Sequence, residues 1–176
     1  MAYATSFELE TLLGGQFTAE DHLRADLLLD LASGRIDTAL GQPVSQVVND
    51  TVTLDGTGTP VLVLPFFPVT AVGAVIADGV TLVFGDDFAW NDAGILTRVG
   101  GCWPARPRSV QVTFTHGYAV IPRSVRGVNA RIAGIWFENP IDLQSETFVD
   151  YSYRVSSQRD DRVEEILGEI RAFGLR

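Results

Sequence analysis

The 176-residue chain is 46% hydrophobic and 20% charged, the balance of a folded globular protein, with 22 acidic against 13 basic side chains and a net charge of −9. That surplus opposes non-specific binding to nucleic acid or an anionic membrane. Every basic residue is arginine, which excludes a Walker-type phosphate loop, Schiff-base chemistry and a Ser–Lys dyad together.

One cysteine, Cys102, excludes an internal disulfide and a cysteine-built zinc site, and two histidines, His22 and His116, cannot form a three-histidine metal centre. No segment reaches the ~20 apolar residues that span a bilayer. The start, MAYATSFELE, lacks the basic and apolar regions of a signal peptide. The expectation is a soluble protein made in the cytoplasm, with no membrane partner.

Thr5-Ser6-Phe7-Glu8 has the spacing of a capping box, and Gly14-Gly15 stops the short helix that it opens. A longer helix is signalled by Thr18 with Glu20 and Asp21 in its first turn. Leu23, Leu27 and Leu31 repeat every four residues, Ile36 and Leu40 extend the stripe, and Gly41 and Pro43 end it. A single apolar stripe is expected to face the helix's own core, the alternative being a face for a partner.

From Val47 to Thr115 the character changes to six β-branched runs: VVNDTVTL, VLVLP, VTAVGAVIA, VTLVF, ILTRV and SVQVTFT. Val110, Val112 and Phe114 alternate with polar residues as in a half-buried strand. Asp55-Gly56 and Asp78-Gly79 mark turns. Pro65 and Pro68 bracket a bend or a sheet edge at Phe66-Phe67. Six short strands predict a small antiparallel sheet or open barrel.

Helix returns after Pro122, with Val125, Val128, Ile132 and Ile135 on one face, Arg123, Arg126 and Arg131 off it, and Asn139-Pro140 at its end. An arm carrying Phe148, Tyr151 and Tyr153 leads to a short amphipathic helix with Val163, Ile166, Leu167, Ile170 and Phe173. The fold expected is α+β: a helical scaffold with an inserted antiparallel β module and a C-terminal amphipathic helix. Its parts are 1–46, the β module 47–115, the scaffold helix 116–140, and the arm and last helix 141–176.

Candidate chemistry is sparse. His116 ends a strand with neither a Gly-x-Ser-x-Gly elbow nor a second histidine motif to support catalysis, so a structural ring bonded to backbone is expected. Asp86, Asp87, Asn91 and Asp92 miss the spacing of a calcium loop. Gly56 and Gly58 without a lysine read as a β-turn rather than a phosphate cradle. Trp90, Trp103 and Trp136 read as core or interface. Arg98, Arg106 and Arg108 cluster around Trp103-Pro104 and, with Arg123, Arg126 and Arg131, are candidates for meeting acidic neighbours at a subunit contact. No catalytic, cofactor-binding or metal-binding residue is expected, and no enzyme.

The middle of the chain also forms an ordered string: Val52-Thr53-Leu54-Asp55-Gly56, Leu62-Val63-Leu64-Pro65, Pro68-Val69-Thr70-Ala71-Val72 and Asp86-Asp87-Phe88-Ala89-Trp90. It continues through Gly94-Ile95-Leu96, Trp103-Pro104, Val112-Thr113-Phe114-Thr115-His116-Gly117-Tyr118 and Ile121-Pro122. Over about residues 18–140 this resembles the head-to-tail adaptor (connector) proteins of long-tailed double-stranded DNA bacteriophages, of the actinobacterial-host type. The absence of lysine agrees with a high-GC genome.

The resemblance implies a structural virion protein in the head–tail neck, forming a dodecameric ring below the portal, extending the DNA channel and docking the stopper or tail. Its partners would be the portal protein, a stopper or tail-completion protein, further copies of itself, and genomic DNA passing without sequence-specific binding. No cofactor is implied. Net negative charge suits a conduit that must release its genome. On this reading Val163, Ile166, Leu167, Ile170 and Phe173, with Tyr151 and Tyr153 of the arm, are expected to contact a partner at helix-in-groove spacing, the equal alternative being that the helix packs on the protein's own first long helix. The alternatives are a stopper or tail-terminator ring protein, or a non-viral β-rich module recognising saccharide through Trp90 or Trp103.

Overall fold

The computed structural model describes residues 2–138 and 161–168. Helix α1 (Ser6–Leu13) opens with the reciprocal Thr5–Glu8 capping box and closes on Gly14, whose φ of 68° few other residues tolerate. Helix α2 (Ala19–Leu40) starts the same way, with Thr18 and Asp21 exchanging bonds, and ends on Gly41 at φ 70°. Helix α3 covers Arg123–Glu138. A fourth helical segment, α4, covers 161–168.

The chain divides into two compact units. Of the described residues, 2–42, 121–138 and 161–168 form the helical unit, and Pro43–Val120 forms the β unit.

In the helical unit α2 packs on both α1 and α3. Its core face is Ala25, Leu29, Ala32, Ser33 and Ile36, so small residues let the neighbouring helices approach. Full burial of Leu29 and Ile36 contributes about 2 kcal/mol each. This corrects the expectation that the leucine stripe faces the core. Leu23, Leu27 and Leu31 are 72%, 61% and 55% exposed. At 100° per residue they centre on the side of the helix opposite Leu29 and Ile36. Ile36 belongs to the core face and does not extend the stripe.

The β unit has seven strands, one more than the runs predict, in two antiparallel sheets. β1 (Val47–Leu54), β7 (Val110–His116), β3 (Val69–Ala77) and β4 (Val80–Leu82) form the first, in that order. β2 (Val61–Val63), β6 (Ile95–Arg98) and β5 (Phe88–Trp90) form the second. The missed strand, β5, is three residues long, too short to display a period. One core serves both sheets: Val75, Val110, Val112 and Phe114 from the first meet Leu62, Leu96 and Phe88 from the second, with Trp103 among them. Asp78 and Gly79, at φ 50° and 80°, make the tight β3–β4 turn that their sequence signals. The segment Leu64–Pro68 is the bend expected between Pro65 and Pro68, with Leu64 fixed by its N–H to the Gly94 carbonyl at 2.8 Å.

Candidate functional site

His116, at the end of β7, is 1% exposed. Its Nε2 lies 3.3 Å from a carboxylate oxygen of Asp50 on the neighbouring β1, and its ring stacks on Phe66 at 4.8 Å and tilts against Phe114 at 5.2 Å. Its Nδ1 is buried with no hydrogen-bond partner. The expected bond to backbone is therefore replaced by a side-chain carboxylate, brought into reach by a bulge in β1. Asn49 sits there at φ 54°, and the register shifts between Val47 and Asp50. A ring closed off by two phenylalanines has no opening for a substrate, so the pair acts as a tie between β1 and β7.

Gly117, next in the chain, holds φ 80°, and a Cβ on it would lie 2.6 Å from the Ser45 carbonyl. Gly56 packs so closely on the Pro104 carbonyl that a Cβ would fall 1.9 Å from it. Its glycine is a point of backbone approach rather than the turn position expected. Both positions sit in the ordered string that carries the resemblance, so part of that string is a packing requirement of the β unit. Trp103 is buried with its indole N–H on the Pro60 carbonyl at 3.0 Å, which removes it as a sugar platform.

The six arginines expected at a subunit contact divide between the two units. Arg98 donates to the Asp87 carbonyl at 3.0 Å, lies 3.5 Å from the Asp87 carboxylate and sits 6.0 Å over the Trp103 ring. Arg106 pairs with Asp78. Exposed Arg108, at φ 51°, gives its backbone N–H to Asp55. These three belong to the β unit. In the helical unit Arg126 pairs with Glu8 of α1, while Arg123 and Arg131 lie on the exposed side of α3.

Val163, Ile166 and Leu167 of α4 are buried within the described chain, Leu167 to 1% exposure. Glu164 on the same helix pairs with Arg35 of α2. Of the two packings expected for this helix, these three residues follow the one on its own scaffold, since a short helix is marginal alone in water. Ile170, Phe173, Tyr151, Tyr153 and Phe148 lie outside the described residues.

Two features stand out on the surface of the helical unit among the described residues. The first is the Leu23–Leu27–Leu31 ridge of α2, flanked by Asp26 and Asp30 on one side and Arg24 on the other. Arg24 is held over the Phe137 ring at 4.7 Å and donates to the Phe137 carbonyl at 2.8 Å. A groove of about 490 Å³ runs beside this ridge, between Leu28, Leu31 and Trp136. The second is a groove of about 370 Å³ between α1, α3 and α4, with Leu12, Leu13, Ile135 and Ile166 on its walls. Its rim carries Arg131 and Glu138 from α3, and Arg162 and Glu165 from α4. Among the described residues no group of three or more His, Cys, Asp or Glu is placed to hold a metal ion. No described helix is long and apolar enough to cross a membrane.

No family model and no curated protein matches the chain. Solved structures do. A chain from the neck of an empty GTA particle, computed with C6 symmetry, superposes with a TM-score of 0.57 at 19% identity, over 81% of this chain and 82% of that one. A chain from the virion of a native gene transfer agent (GTA) particle gives 0.54 at 19% identity, over 82% and 80%. At that identity the likeness is one of fold: this chain shares the α+β architecture of those particle proteins.

Proposed function

We propose that the protein is a structural component of a phage-like virion neck, a head-to-tail adaptor that forms a ring below the portal and offers a docking face to the stopper or tail. The observation that carries this is the fold shared with a chain of a GTA neck over four-fifths of both chains. It agrees with the resemblance drawn from the β-unit string, which rests on different features of the same residues. Two further features support it. His116 is buried between Phe66 and Phe114 and bonded to Asp50, the placement of a structural tie within the β unit. An exposed leucine ridge on a well-capped helix is what a subunit made for assembly needs. In this reading the ring surrounds the DNA channel, and the net charge of −9 keeps the passing genome from being retained.

The test is genetic and structural. Removing the gene should leave DNA-filled heads without tails, and a tagged copy should label the head–tail junction of restored particles. Purified protein should bind portal-bearing heads before any stopper is added. Label on the tail tube, or binding only after the stopper, would reassign the chain to a stopper or tail-terminator role. Tailed, infectious particles in its absence would remove it from the neck.

A further inference from the structure

Glycine apart, three of the described residues hold a positive φ: Asn49, Asp78 and Arg108. Asparagine and aspartate tolerate that conformation, whereas an arginine there carries the Cβ–carbonyl clash that makes left-handed backbone costly. Arg108 sits at φ 51° in the turn Pro107-Arg108 that leads into β7. A proline corner followed by a positive φ is the pattern at which glycine is favoured. The turn is firmly held. Asp55 accepts the Arg108 N–H at 2.7 Å, and the Arg106 carbonyl accepts the Gly56 N–H at 2.9 Å and the Ser109 hydroxyl at 2.8 Å. The Ser109 carbonyl accepts the Asp78 N–H at 2.9 Å. None of these bonds uses the Arg108 side chain. It is exposed, and its guanidinium makes no hydrogen bond or ion pair among the described residues. Neighbouring Arg106 is taken by Asp78.

Glycine would suit this backbone better, and no bond among the described residues calls for a guanidinium there. A strained position filled in this way marks a side chain kept for what it meets. We propose that Arg108 is a docking residue whose guanidinium grips an aspartate or glutamate carboxylate on another protein chain of the neck. The proposal rests on the neck reading above and names the chemistry of one contact within it. A planar guanidinium matches a carboxylate bidentately, and a turn already held by its own hydrogen bonds spares the cost of ordering on binding. The surroundings favour a carboxylate over a phosphate of DNA. Arg106 and Arg108 stand beside Asp55 and Asp78 in a chain of net charge −9, so the site lacks the positive field that gathers a polyanion.

Arg108→Gly reads strain and docking with opposite signs. The variant should melt above the parent, because the clash is gone, while particles built with it should fall about tenfold or more in infectious titre. Arg108→Asn, which also suits a positive φ, should behave the same way. Arg108→Lys, which keeps both charge and strain, should lose less titre than either. Normal titre from Arg108→Gly and Arg108→Asn would overturn the proposal. A melting temperature below the parent's in both would also overturn it, since the residue would then be structural. Suppressors of Arg108→Glu should exchange an acidic residue of a neck protein for a neutral or basic one, and suppressors confined to residue 108 would overturn the carboxylate. Duplex DNA retarded by the parent and released by Arg108→Gly would assign the residue to phosphate and overturn the proposal likewise. In each of these cases the tagged parent still labels the neck, so the neck reading survives. A parent absent from virion necks would end that reading and the proposal together.

Discussion

The side-chain amide of Asn129 on α3 donates to the hydroxyl of Ser33 on α2 at 3.0 Å, inside a helical core where both residues are almost fully buried. The same Asn129 nitrogen donates to the Leu29 carbonyl at 3.0 Å, and its oxygen accepts the Ala4 N–H at 3.1 Å. Ser33 in turn accepts the Tyr3 N–H at 3.0 Å. One amide thus joins α2, α3 and the segment before α1, and the network leaves neither the Asn129 oxygen nor its nitrogen unbonded. Replacing Asn129 with leucine strands the Ala4 N–H in the core. Urea denaturation of Asn129→Leu should show a loss of about 2–3 kcal/mol. An unchanged midpoint would mean that the network is dispensable.

How much of this was legible in the sequence depends on what each signal encodes. The period-2 run of β7 was readable because one of its faces is buried and the other is not. The capping boxes at Thr5 and Thr18 were readable because they are local. The orientation of α2 was not. Its hydropathy favours the leucines, but its buried face is built of Ala25, Ala32 and Ser33 beside Leu29 and Ile36, and small residues gain their place from a neighbour's shape. Asn129 carries no local sequence signal for the same reason, since its partners on α2 lie about a hundred residues away in the chain. The Asp50–His116 pair needed the β1 bulge, which no hydrophobic pattern records.

His116 ties β1 to β7 and fills the space between Phe66 and Phe114. His116→Ala removes a buried ring and leaves the Asp50 carboxylate without its partner. Chemical denaturation should show a loss of about 2–4 kcal/mol. Because the role is structural, His116→Asn should retain virion assembly wherever the fold is retained. Lost assembly with an unchanged melting temperature and circular dichroism spectrum would reveal a role beyond packing.

Gly117 explains why glycine follows His116. Its φ of 80° strains any residue with a Cβ, and that Cβ would press to 2.6 Å on the Ser45 carbonyl. Gly79, also at φ 80°, has open space around it and provides the control. Gly117→Ala should therefore lower the melting temperature clearly more than Gly79→Ala. Equal effects would show that the close approach at Ser45 relaxes at little cost.

Asp21 carries the pH dependence of the α2 cap. The Thr18 hydroxyl donates to its carboxylate at 2.7 Å and the Thr18 N–H at 2.9 Å, and these bonds hold its pKa below the usual aspartate value. A lowered folded-state pKa means that the contribution is present above the unfolded value and is lost as pH falls through the folded one. Asp21→Asn should reduce the melting temperature at neutral pH, and the gap between variant and parent should narrow progressively as pH falls below the ordinary aspartate range. A gap that is constant across this range would assign the cap to hydrogen bonding without charge.

The last prediction separates the two roles open to α4. If its apolar face served a partner, truncating a side chain there would weaken assembly and leave the isolated subunit as stable as before. The structure instead buries Leu167 to 1% exposure with Val163 and Ile166 beside it, and Glu164 reaches Arg35 on α2. Leu167→Ala should then cost about 2–5 kcal/mol in the subunit itself, since the cavity opens inside its own core. The exposed Glu164–Arg35 pair should matter little, within about 1 kcal/mol for Glu164→Gln. Deleting 156–176 extends the same argument: the shortened chain should melt lower and aggregate through the uncovered groove. A truncated protein that keeps its melting temperature but fails to join portal-bearing heads would return α4 to the role of a docking helix.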